Sequence, residues 1–112
     1  MSFHEHTLWQ NSYVALMEAH DIFDALNDGE SEEIVEPILE SATTLTARIA
    51  DGLTRQDKRL GRDIIMNAVG MVAIVRTHLA VAWGRGLVDD EVFRALDGKY
   101  DALGIALQQA RI

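Results

Sequence analysis

The sequence contains no cysteine. That absence removes disulfide scaffolds, thiolate zinc sites, iron–sulfur ligation and cysteine nucleophiles together. Proline occurs once, at Pro37, and low-complexity sequence is scarce, so collagen-like and Pro-rich linker readings go too. Lys and Arg are missing from residues 1–47, which carry all of Glu5, Glu18, Asp21, Asp24, Asp28, Glu30, Glu32, Glu33, Glu36 and Glu40. There is no Glu-x-x-His pair, no Gly-rich phosphate loop, no Gly-x-Ser-x-Gly elbow and no His-Glu-x-x-His. The opening MSFHEHTLWQ has neither a basic segment nor an apolar run, so no secretory signal is expected and the cytoplasm is the expected compartment. Long uninterrupted apolar runs are also lacking. The nearest, Ile64 to Trp83, is broken by Asn67, Arg76, Thr77 and His78. A charge at mid-span costs about 2.5–3.5 kcal/mol on insertion scales, so no membrane helix is expected.

What is present is ordinary globular material. The chain has 112 residues and weighs 12.4 kDa, with 48% hydrophobic and 25% charged residues, which suits one domain over 1–112. The net charge is −8. That opposes generic nucleic-acid binding, which needs cations to displace phosphate counterions. The distribution qualifies the sum, because all ten bases lie in residues 48–112 beside eight acids.

Turn residues cut the chain into four segments. Asn27 to Ser31, Asp51 to Gln56 and Gly84-Arg85-Gly86 are the expected loops. Ser31 and Asp89 are candidate N-caps, and Thr54 with Asp57 is a candidate capping pair for the third segment. Each segment has helical spacing. The first places Trp9, Tyr13, Leu16 and Phe23 in a row, with Leu8, Ala15, Ala19, Ile22 and Leu26 beside it. The second aligns Ile34, Ile38, Ala42, Leu45, Ile49 and Leu53, with Pro37 expected to delay or kink the helix near Glu36. The fourth aligns Phe93, Leu96, Tyr100, Leu103, Leu107 and Ala110. The expectation is all-α: an up-and-down antiparallel four-helix bundle with helices near 7–27, 33–53, 57–84 and 89–111.

The third segment differs, being apolar around nearly its whole circumference between Ile64 and Trp83. A bundle helix buries one stripe. An apolar second side implies a second cover, and another copy of the chain is the natural one. Met66, Val69, Ala73 and Val81 are the expected interface, with Gly70 and Ala73 leaving room for close approach. The alternative is a deeply buried central helix in a monomer.

The four histidines are His4, His6, His20 and His78. His4 and His6 have no evident third ligand, so no metal and no cofactor is expected. His20 falls in the apolar row of helix one and is read as a packed, hydrogen-bonded side chain. His78 is a mid-helix histidine in an acidic bundle, as in histidine phosphotransfer domains. The lysine and glycine those domains carry beside it are absent from Thr77-His78-Leu79-Ala80-Val81-Ala82. Arg48, Arg55, Lys58, Arg59 and Arg62 are half of all the positive charge, and with Asp51 and Asp57 the window is net +3. They are either ion-paired with the acidic helices or a basic tip for nucleic acid, which repetition in an oligomer would strengthen.

Four short motifs carry a resemblance. They are Leu8-Trp9-Gln10, Ile49-Ala50-Asp51-Gly52, Asn67-Ala68-Val69-Gly70 and Gly86-Leu87-Val88. In this order they resemble the Val-Trp-Gln, Ile-Ala-Glu-Gly, Ala-x-Gly and Gly-Tyr-Ile stretches of the bacterial four-helix bundle proteins known as the 23S ribosomal RNA intervening sequence family. The resemblance covers roughly Leu8 to Leu107. It implies a ring-like homopentamer without established enzymatic activity, related to accessory proteins of diversity-generating retroelements, which associate with a reverse transcriptase and nucleic acid. The chain departs from the pattern at Thr46, where members often carry proline, and at Val72 to Val75, where an acid is typical. The retroelement proteins are also basic, whereas this chain is acidic. The expected function is non-enzymatic: a homo-oligomeric scaffold, with a partner protein or RNA and no small-molecule substrate. Nucleic-acid binding at Arg48–Arg62 and phosphotransfer at His78 are the alternatives.

Overall fold

A computed structural model describes residues 2–26 and 29–111. A 3-10 turn over Phe3–Glu5 leads into α1 (Thr7–Asp24), followed by α2 (Glu32–Thr54), α3 (Lys58–Gly84) and α4 (Asp90–Gln108). Each helix packs on its sequence neighbours, and α1 closes the square against α4. Short connections make neighbours antiparallel, so this is the expected up-and-down bundle. No strand occurs among the described residues. The body measures 44 × 21 × 19 Å. At about 1.5 Å per residue α3 runs nearly its whole length.

The periodic rows of helices two and four are the buried ones. Ile38, Ala42, Leu45 and Ile49 face Leu96, Tyr100, Leu103 and Leu107 in one core with Ile65, Ala68, Val72, Val75 and Leu79 of α3. Helix one is rotated relative to expectation. Leu8, Ser12, Ala15, Leu16, Ala19 and Phe23 are buried, while Tyr13 is 42% exposed and stacks outward on Trp9 with ring centroids 4.9 Å apart. The polar Ser12 hid the buried row. Thr46 donates its hydroxyl proton to the Ala42 carbonyl at 3.1 Å, so Ser12 donates to Thr46 Oγ1 at 2.7 Å and ties α1 to α2 inside the core.

Several boundaries moved for local reasons. The helix end placed at 27 falls on Asn27, which with Asp28 lies outside the described residues; α1 itself ends at Asp24. α2 starts at Glu32 and runs through Pro37 without waiting for Glu36, because Pro37 sits in the second turn, where its missing N–H costs one early bond. Ser31 is the N-cap position of α2, but its side chain makes no capping bond. Thr54 belongs to α2 and donates to the Asp51 carbonyl, so Asp57 alone caps α3, accepting from the Arg59 and Leu60 amides. Gly52 ends no helix: it lies buried within α2. At the α3–α4 turn the left-handed position is Gly86 (φ 76°), not Gly84, and Leu87 N–H closes onto the Ala82 carbonyl at 2.9 Å. Asp89 caps α4 as expected, and that helix ends at Gln108, short of 111.

The Tyr100 hydroxyl is buried with no hydrogen-bond partner among the described residues. Burial pushes its pKa from 10.0 up to about 12. The folded value lies above the unfolded one. The associated stability is therefore fully present below pH 10 and lost as the pH rises towards 12. Tyr100→Phe removes an unsatisfied hydroxyl at almost constant shape. It is expected to equal or exceed the parent by about 1 kcal/mol in urea unfolding at neutral pH, and to lose less stability above pH 10.

Candidate functional site

No three His, Asp or Glu side chains converge as a metal site among the described residues. His4 Nδ1 pairs with Ser2 Oγ at 2.6 Å. His6 Nδ1 accepts the Leu8 amide at 3.1 Å and so caps α1. His20 is not packed away: its side chain is 38% exposed, with Nδ1 3.6 Å from Asp24 Oδ2. His78 is half-buried in a cleft of about 310 Å³ between α2 and α3, with Pro37, Glu40, Ser41, Thr44, Met71 and Ile74. The residues lining that cleft include a carboxylate and no cation, an unfavourable setting for a phosphoryl group.

Two surfaces stand out. The first is the outward side of α3. Met66 is 53% exposed, Ile74 52% and Val81 46%, and Ala73 is exposed between them. A Cβ added at Gly70 or Gly84 would meet nothing within 4 Å. Of the expected interface residues, Val69 alone turns partly inward, packing against the core. It also lines a groove of about 200 Å³ with Val72, Ala73, Arg76, Asp101 and Ile105. Ile74 belongs to the stripe, and helical spacing from Met66 and Val81 would have included it. By length and composition α3 suffices to cross a membrane, yet its inner side is committed to the bundle. Arg76, the charge that interrupts it, points to α4: it forks onto Asp97 at 2.8 and 3.0 Å and reaches Asp101 at 3.1 Å. Hydrogen bonding to Asp97 raises the Arg76 pKa, against the opposing effect of burial.

The second surface is one end of the rod. Up-and-down topology brings Arg48, Arg55, Lys58, Arg59 and Arg62 together there, beside the N-terminal turn and Arg111. Asp51 accepts from Arg55 Nε at 2.9 Å and from Arg48 at 3.4 Å, so part of this cluster is ion-paired within itself rather than with the acidic helices. Lys58 and Arg59 form no ion pair among the described residues. The opposite end gathers Asp21, Asp24, Glu30, Glu32, Glu33 and Glu36 with Asp89, Asp90 and Glu91, against only Arg85 and Arg94. The protein is therefore electrically polar along its long axis, and the net charge of −8 conceals it.

His6 is the member of the basic end that the sequence pattern missed. It lies 42 residues before Arg48. Only the return of α2 and the start of α1 at the same end bring them together.

No family model, curated protein or solved structure matches the chain.

Proposed function

We propose that this protein is a non-enzymatic, homo-oligomeric four-helix bundle that acts as an assembly scaffold. The supporting observation is the outward stripe of α3, where Met66, Ile74 and Val81 stand exposed around Gly70 and Ala73. Leaving such a stripe in water is unfavourable, and burying it costs about 25 cal/mol less per Å² than exposing it. Small residues at its centre let a second helix come close. The sequence resemblance to the 23S ribosomal RNA intervening sequence family supplies the copy number, five. Size-exclusion chromatography with light scattering tests the proposal. A mass of about 62 kDa, five chains of 12.4 kDa, supports the ring. Another multiple keeps self-assembly and replaces the number. A mass of 12.4 kDa overturns the proposal.

Nucleic-acid association through Arg48, Arg55, Lys58, Arg59 and Arg62 is the second reading. It is favoured by the separation of charge along the rod, which leaves one end basic on an acidic chain. Copies arranged side by side about an axis parallel to the rods would join these ends into a basic ring, where many weak contacts add. Charge reversal of Arg55, Lys58 and Arg59 to Glu is expected to abolish RNA retention at low salt. No retention by the parent protein ends this reading and leaves the scaffold untouched.

A further inference from the structure

We infer that the basic end holds a seat for a single phosphate group, formed by Lys58, Arg55 and His6. This goes beyond the scaffold proposal and does not depend on it. It deepens the nucleic-acid reading by naming the atoms that would take a phosphate.

The seat is a narrow cleft of about 160 Å³, lined by His6, Gly52, Leu53, Arg55, Lys58 and Gly61. Three of its six lining residues can donate hydrogen bonds from their side chains, and none is a carboxylate. Arg55 is held from behind, because its Nε bonds Asp51 Oδ1 at 2.9 Å. Its terminal nitrogens have no partner among the described residues, and neither does the Lys58 ammonium. His6 is fixed as a donor. Its Nδ1 accepts the Leu8 amide at 3.1 Å, so in the neutral ring Nε2 carries the proton. The amides at the start of α3 contribute little, since Asp57 already occupies those of Arg59 and Leu60. The side chains therefore make the site, rather than the helix terminus.

Charge and size both select a phosphate. Arg48, Arg59 and Arg62 add positive charge around the cleft, against Glu5, Asp51, Asp57 and Asp63 at the same end. Pockets for whole small molecules run about 300–1,000 Å³. This cleft takes the phosphate and leaves outside whatever carries it. The carrier is either a nucleic-acid backbone or a soluble phosphate monoester, and the two share the same recognition chemistry.

The test is a two-dimensional amide NMR titration of the full chain at constant ionic strength. Inorganic phosphate is compared with chloride, then with uridine monophosphate and with a single-stranded oligouridine. Phosphate is expected to shift the amides of Gly52, Leu53 and Gly61. Lys58→Gln is expected to weaken it by about tenfold, the loss of one charge-assisted bond. His6→Ser, which keeps a capping oxygen for α1, is expected to weaken it as well. Arg94→Gln, at the opposite end of the rod, is expected to change it less than twofold. The oligonucleotide shifting the same amides identifies the backbone as the source, and the monoester alone doing so identifies a soluble ligand; both support the seat. Phosphate acting no more strongly than chloride overturns it. So does an unchanged response in Lys58→Gln. Oligonucleotide binding that survives Lys58→Gln and His6→Ser but fails in Arg59→Glu with Arg62→Glu overturns the seat while leaving nucleic-acid binding at this end intact.

Discussion

Met66→Asp is expected to reduce the solution mass to that of one chain, 12.4 kDa, while the helical circular dichroism stays in place. Met66 is 53% exposed, so in an isolated bundle the new carboxylate stays in water and costs less than about 1 kcal/mol in helix propensity. Against a second copy it would be buried without a partner, a penalty of several kcal/mol that an interface of this kind does not absorb. Ala73→Asp, on the same stripe, is expected to behave likewise. Ala68→Asp is the contrasting case, since Ala68 is fully buried among core side chains. There the loss of helicity should accompany or replace dissociation. An assembly of unchanged mass in both Met66→Asp and Ala73→Asp would place the contact elsewhere on the molecule. Loss of helicity in both would mean that the folded chain depends on its partner.

Gly61→Ala is the second large effect, and it opposes helix propensity. In an exposed helix, alanine is better than glycine by about 0.8–1 kcal/mol. At Gly61 the added Cβ would lie 2.7 Å from the Gly52 carbonyl oxygen, which belongs to the backbone of α2 and cannot rotate away. A Cβ at Gly52 would in turn meet Ile65 at 2.9 Å. The two helices must move apart at this crossing, and overpacking of that kind costs about 1–3 kcal/mol. For a chain of this size the thermal midpoint is expected to fall by roughly 4 °C or more. Gly70→Ala provides the comparison. Nothing lies within 4 Å of its added Cβ, so the folded chain is expected to gain up to about 1 kcal/mol. If a second copy packs on that stripe, the same substitution weakens association. A thermal midpoint that rises for Gly61→Ala would show that the close α2–α3 approach does not persist in solution.

The sequence by itself determined the class of fold and most of the core. Ile38, Ala42, Leu45 and Ile49, and Leu96, Tyr100, Leu103 and Leu107, were legible because burial on one side of a helix imposes a period that can be counted. Asp89 was legible as a helix start because a short acceptor side chain satisfies amides only a few residues away, whereas Asp57 had been paired with Thr54 and caps α3 alone. The apolar surplus of α3 was visible too, but not its direction. Periodicity gives angles around one helix, whereas the faces of α3 were assigned by where α2 and α4 sit.

Tertiary structure alone decided the rest. It buried Ser12, turned Tyr13 outward and tied Ser12 to Thr46, because a buried hydroxyl pair needs two helices to supply it. It gave Gly52 and Gly61 a joint role as a crossing, where Gly52 had been read as part of a loop. It set an acidic end opposite the basic tip that the sequence had offered, and it brought His6 to Arg55 and Lys58. Local pattern governs interactions within a turn or two of helix. Contacts between residues far apart in the chain depend on how the helices return, and that is settled only when their apolar sides close on one another.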